Sequence, residues 1–123
     1  MTLEQCYHAM GAQYEEVLFR LRSEHLIQKY VLKFLDDSSY KNLCNALSSS
    51  DDITAFRAIH TLKGIAQNLG FAKLYQSGAA LTEALRNGRQ PGTEALFAQV
   101  AEDYRTTVEA ILQFQASLNV ETS

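Results

Sequence analysis

Apolar residues recur along the chain at intervals of three and four far more often than at two, and Pro91 is the only proline, so the pattern predicts an all-α protein. A short first helix runs from Leu3 to about Met10 with Thr2 as its cap. Gly11 breaks it, and a second short helix covers Tyr14 to Leu21. Ser23 then opens SEHLIQKYVLKFLDD, in which Ile27, Tyr30, Val31 and Phe34 form the buried stripe and the polar cluster Asp36 to Ser39 ends the helix. A shorter helix from about Tyr40 to Leu47 presents Leu43, Cys44 and Leu47 and closes at Ser48 to Ser50.

Asp51 or Asp52 caps the central helix, DITAFRAIHTLKGIAQNL, which lines up Ala55, Ile59, Leu62, Ala66 and Leu69 and stops at Gly70. Its partner, FAKLYQSGAALTEALRNG, buries Leu74, Gly78, Leu81 and Leu85 and stops at Gly88. GRQPG is the clearest loop. Thr93 caps a long last helix to about Leu118, with Phe97, Val100, Tyr104, Thr107 or Val108, Ile111 and Phe114 as its stripe. Short links between helices of this length fit an antiparallel four-helix bundle, up-down-up-down, with one or two short N-terminal covering helices. The expected unit is a single domain, 1–118, followed by a frayed tail, 119–123. Gly78 costs its helix about 1 kcal/mol against alanine and marks close helix contact.

A chain of 123 residues is near one domain on a prior of about 150 residues per domain, so a catalytic domain paired with a substrate domain is disfavoured. The net charge of -3 and the absence of a dense basic run argue against nucleic acid as a partner. Cys6 and Cys44 stand far apart, with neither a disulfide framework nor Cys-x-x-Cys metal spacing, which fits reduced cytosolic thiols. No stretch approaches the ~18 continuous apolar residues of a membrane span, and the N-terminus lacks the pattern of a secretory signal. The expectation is a cytoplasmic protein, without a membrane partner, whose small charge permits a monomer.

His60 is the exception to this ordinary composition. At 100° per residue it lies about 140° from the centre of the buried stripe of its helix, so it points to solvent with Arg57 and Gly64, flanked by Lys63 and Gln67. Helical side chains lean toward the N-terminus, and the residue at position 64 would normally shade the ring of His60; glycine leaves it open to close approach. Imidazole offers an unprotonated, nucleophilic ring nitrogen near neutral pH. Lys63 can neutralise part of a bound group carrying about -1.5 to -2 charge, and Gln67 can donate a hydrogen bond to it. No carboxylate stands three or four residues away to orient the ring, so a hydrolytic relay is absent from the pattern. These residues describe a phosphoryl acceptor without hydrolytic machinery.

The run His60-Thr-Leu-Lys63-Gly64-Ile-Ala-Gln-Asn-Leu-Gly70 resembles the signature of the histidine phosphotransfer (HPt) domain family: histidine, two residues, lysine, glycine, and a further glycine closing the helix. The specific part is about a dozen residues, while the helix order resembles the family over nearly the whole chain. The resemblance implies that His60 accepts a phosphoryl group from the aspartate of one receiver domain and passes it to another, within a multistep phosphorelay. It implies response-regulator receiver domains and a hybrid histidine kinase as partners. It also implies no cofactor bound by this chain, since the Mg2+ used in transfer belongs to the partner receiver. On that resemblance the chain is a free-standing shuttle or a piece of something larger.

A shuttle needs an apolar patch beside its histidine. The expected docking surface comprises Ile53, Phe56 and residues near Tyr7 or Met10 of the covering helix, with Arg57 and Lys63 toward the receiver's acidic pocket. The competing expectation is that Ile53 and Phe56 pack under the N-terminal helix. His8 and His25 lack the spacing of a metal site. Two other functions stay in play: an HPt-like adaptor that binds signalling partners without phosphotransfer, and a structural bundle.

Overall fold

The computed structural model describes residues 1–122, with side chains through Asn119. Among them are seven α-helices and no strand: α1 (Leu3–Ala9), α2 (Tyr14–Leu21), α3 (Glu24–Lys33), α4 (Ser39–Ser48), α5 (Asp52–Leu69), α6 (Ala72–Leu85) and α7 (Thr93–Thr122). A single 3-10 turn, Phe34–Asp36, joins α3 to α4. The caps follow from local chemistry. Thr2 and Gln5 form a reciprocal capping box on α1, and the Ser23 hydroxyl accepts from the Leu26 amide at 3.1 Å. Asp51, rather than Asp52, caps α5: its carboxylate accepts from the amide and the hydroxyl of Thr54 at 3.1 and 2.6 Å. Those two bonds hold the Asp51 carboxyl below the usual carboxylate range.

Helices α4 to α7 make an antiparallel four-helix bundle in which α5 packs on α4 and α6, and α6 on α7. Tyr40 of α4 closes the ring by stacking on Tyr104 of α7, centroids 4.0 Å apart, and on Phe97 at 6.2 Å. At the end where α5 begins, Arg89 ties the α6–α7 loop down by pairing with Asp52 and donating to the Leu47 carbonyl. Helices α1 to α3 cover the opposite end. There α1 lies along α7, with the buried Cys6 thiol donating to the Ala110 carbonyl and pushed up to about 11 by burial.

Three expectations change. Tyr30 is 40% exposed: Ile27, Val31 and Phe34 carry the buried stripe of α3, and Tyr30 turns instead to an open groove it lines with Lys33 and Ile65. Thr93 is the first residue inside α7 rather than its cap, its hydroxyl donating back to the Gln90 carbonyl at 2.6 Å. The last helix continues past Leu118 to Thr122; of the tail expected at 119–123, Ser123 and the side chains after Asn119 lie outside the described residues.

Candidate functional site

Helix α5 turns Ala55, Ala58, Ile59, Leu62, Ala66 and Leu69 into the bundle and leaves the opposite face to solvent. His60 lies at the middle of that outer face and is exposed, as the helical arithmetic requires. Neither ring nitrogen hydrogen-bonds a described residue, and the ring pairs with that of Phe56, one turn earlier. Their planes lie 13° apart with centroids at 6.0 Å. This stack follows from the lean of helical side chains toward the N-terminus, which carries residue 60 back over residue 56.

On the other side of the ring stands Gly64, where an added Cβ would meet nothing within 4 Å. Packing within the chain therefore gives no reason for glycine there, although helix propensity opposes it by about 1 kcal/mol. Lys63 and Gln67 share this outer face, Lys63 half-buried and Gln67 exposed. Lys63 packs beside Gly78 of α6: a Cβ added there would sit 3.6 Å from Lys63 Cβ and 3.8 Å from Ile59 Cδ1, ordinary van der Waals contact, so α5 and α6 lie close at this point without requiring the glycine. The Lys63 ammonium forms no close ion pair with a described residue, and its charge reaches the Glu83 carboxyl only at longer range. Arg57 is exposed on the same face, and Ile53, 69% exposed, lies two turns before His60.

A model of the Hpt domain matches residues 31–114, a span that begins in α3, contains all of α5 and ends in α7. The chain belongs to the Hpt domain family. No curated protein and no solved structure matches it. Membership supports a general histidine phosphotransfer role, and the all-α bundle agrees with it. No helix among the described residues is long and apolar enough to cross a membrane, and no three His, Cys, Asp or Glu side chains among them gather as a metal site.

Two of the residues expected at the docking surface of this Hpt domain are elsewhere. Tyr7 and Met10 are 0% and 2% exposed. The Tyr7 hydroxyl donates to the Leu69 carbonyl at 2.6 Å and its ring meets Tyr14 and Phe71, so α1 closes the end of α5 instead of flanking His60. Burial raises the pKa of that phenol well above its ordinary value. The same geometry removes the competing expectation for Ile53, because Ile53 sits at the start of α5 and α1 at its end.

Two basic groups near the site come from other helices and are not marked by the pattern around His60. Arg20 of α2 donates to the carbonyls of Gln67 and Asn68 at 3.3 and 2.9 Å, capping α5 beside Gln67. Arg86, at the end of α6, lies over the Phe56 ring at 5.4 Å and pairs with Glu83 at 2.8 Å. A signal for Arg86 existed: Gly78, Thr82 and Arg86 recur every four residues, and Gly78 marks the edge of α6 that meets α5. Hydrogen bonds from Arg86, then its charge, hold the Glu83 carboxyl below its usual range, with Lys63 acting in the same direction.

Proposed function

We propose that this Hpt domain carries phosphoryl groups on His60 between receiver domains. The observation that supports the reading is the unbonded imidazole of His60, exposed at mid-helix between a stacked Phe56 and the open position at Gly64. In the step, a ring nitrogen attacks the phosphorus of a receiver's aspartyl phosphate. A nitrogen–phosphorus bond forms, the phosphorus–oxygen bond to the aspartate breaks, and the electron pair returns to that carboxylate. The ring's proton stays on the other nitrogen. Transfer to the second receiver is the reverse step on a new carboxylate.

Lys63 supplies charge to the transferring group and Gln67 a hydrogen bond, since a mid-helix site has no free backbone amides to offer. Ile53, Phe56 and Arg57 form the docking surface around the histidine. Mg2+ belongs to the receiver's acidic pocket. The unit that does this is the bundle with its N-terminal cover, residues 1–118, acting as a monomer.

The test is transfer from a phosphorylated receiver domain to the wild-type chain and to His60→Gln. Acid-labile label on the wild type and none on H60Q, with helicity unchanged, is the expected result. Binding of the receiver without label on either chain would make the domain an adaptor. Label retained by H60Q would move the site to another side chain.

A further inference from the structure

We infer that Phe56 is a positioning residue for the His60 imidazole, braced from the neighbouring helix by Arg86 and Glu83. The inference rests on the reading of His60 as phosphoryl acceptor and adds to it a part of the chain that orients the acceptor. An exposed histidine on a helix is free to turn about both of its side-chain bonds, and His60 has no hydrogen bond to hold it. What it has is the near-parallel stack on Phe56, 13° between planes. A near-parallel contact with centroids 6.0 Å apart flanks the imidazole without hydrogen-bonding either of its nitrogens. The contact thus restricts ring rotation without obstructing either candidate nucleophile, a role that a hydrogen bond to one nitrogen could not fill.

Phe56 is itself held on two sides. It is half-buried against the core, and the Arg86 guanidinium lies over its ring at 5.4 Å. Arg86 is fixed in turn by two contacts to Glu83, from Nε at 3.1 Å and Nη2 at 2.8 Å. Glu83 and Arg86 are a turn apart at the C-terminal end of α6, so the series Glu83, Arg86, Phe56, His60 runs from that helix end to the imidazole. Each contact in the series is exposed and modest on its own. The largest effect therefore belongs to Phe56, which touches the histidine, and smaller ones to Arg86 and Glu83.

The experiment uses acetyl- or carbamoyl-phosphate-type small donors, or phosphoramidate, because a small donor needs no docking surface and isolates ring orientation from partner recognition. Phosphoramidate is the probe of choice. Phe56→Leu is expected to lower the maximal rate of His60 phosphorylation roughly 2- to 10-fold, the range a single aromatic contact supplies. The half-saturating donor concentration stays unchanged, Phe56→Tyr restores the rate, and Arg86→Gln gives a smaller loss in the same direction. The His60 side-chain proton resonances, which sense the Phe56 ring current, move on F56L by an amount that a change in stability alone would not produce.

A wild-type rate and unmoved His60 resonances in F56L would overturn the positioning role while leaving the acceptor reading intact. Absence of any adduct on the wild type, or an equal adduct on H60Q, would instead overturn the acceptor reading on which it rests. Should F56L fold poorly, R86Q carries the test, since both Arg86 and its partner are on the surface.

Discussion

At the C-terminal end of α5, Gly70 has φ +72°, an added Cβ would collide with the Val17 side chain, and the Gly70 carbonyl accepts from the Gln13 amide at 3.0 Å. Tyr7 and Arg20 bond the last carbonyls of the helix there. Six residues earlier, Gly64 meets nothing within 4 Å, and the His60 nitrogens, the Lys63 ammonium and the Arg57 guanidinium form no hydrogen bond or close ion pair with a described residue, Lys63 and Arg57 acting on Glu83 and Asp51 through charge alone. Both glycines fall in the same sequence motif, Gly64 inside α5 and Gly70 capping it. The first is required by the fold: a left-handed residue without a side chain is the only fit. The second costs the fold stability and returns no contact among the described residues, which supports the proposal that its reason lies in what approaches from outside. A residue that structure cannot explain is, on such a surface, a pointer to a partner.

Three substitutions sharpen this contrast, beginning with the largest effect. Gly70→Ala combines left-handed strain with a clash against Val17 and is expected to destabilise the domain by about 2 to 4 kcal/mol. Urea unfolding measures it, and folded molecules should still accept phosphoryl groups from a small donor at the wild-type rate. An unfolding midpoint that does not move would mean the end of α5 is less constrained than its contacts imply.

Gly64→Leu should behave in the opposite way. Helix propensity raises stability by up to about 0.8 kcal/mol, while receiver-dependent transfer falls on the order of 100-fold as the side chain blocks approach to His60. Normal transfer from a receiver to this variant would contradict the steric argument. Lys63→Ala is the gentlest of the three. Its unfolding midpoint should stay within about 0.5 kcal/mol of wild type, and phosphoryl transfer should slow about tenfold through loss of charge. An unaltered rate would show that the partner supplies all of the electrostatic stabilisation.

Much of this contrast is legible in the sequence, and the boundary of what is legible is physical. The span of α5, its inward stripe and its stop at Gly70 follow from a period of 3.6 and a glycine, both local properties. The outward direction of His60 follows from the same arithmetic. What a partner helix covers is not local. Tyr7 and Met10 look like candidates for a surface until α1 is seen to pack on α7 and on the end of α5, which buries both. Tyr30 fails for the related reason that α3 is a covering helix with one narrow contact stripe, and its wider apolar face borders a groove. Arg86 and Arg20 reach the site from other helices, at angles set by the packing of α6 and α2 against α5. Glu83 and Arg86 are legible as a pair three residues apart, but their nearness to Phe56 is a property of the assembled bundle.

The seven-ring series from Tyr14 through Tyr7, Phe71, Phe34, Tyr104 and Tyr40 to Phe97 gives the same lesson from the interior. Those rings come from α1, α2, α4 and α7 and from the segments flanking them, and burial holds them together. The Phe56–His60 stack is the exception in kind, made within one helix, at its surface, by residues four apart.

The central claim is that the exposed imidazole of His60 is the phosphoryl acceptor, and intact mass after incubation with phosphoramidate tests it most directly. The account predicts one acid-labile phosphoryl adduct on the wild type and none on H60Q. No adduct on the wild type, with a small-molecule acceptor phosphorylated in the same mixture, or an equal adduct on H60Q, would contradict it.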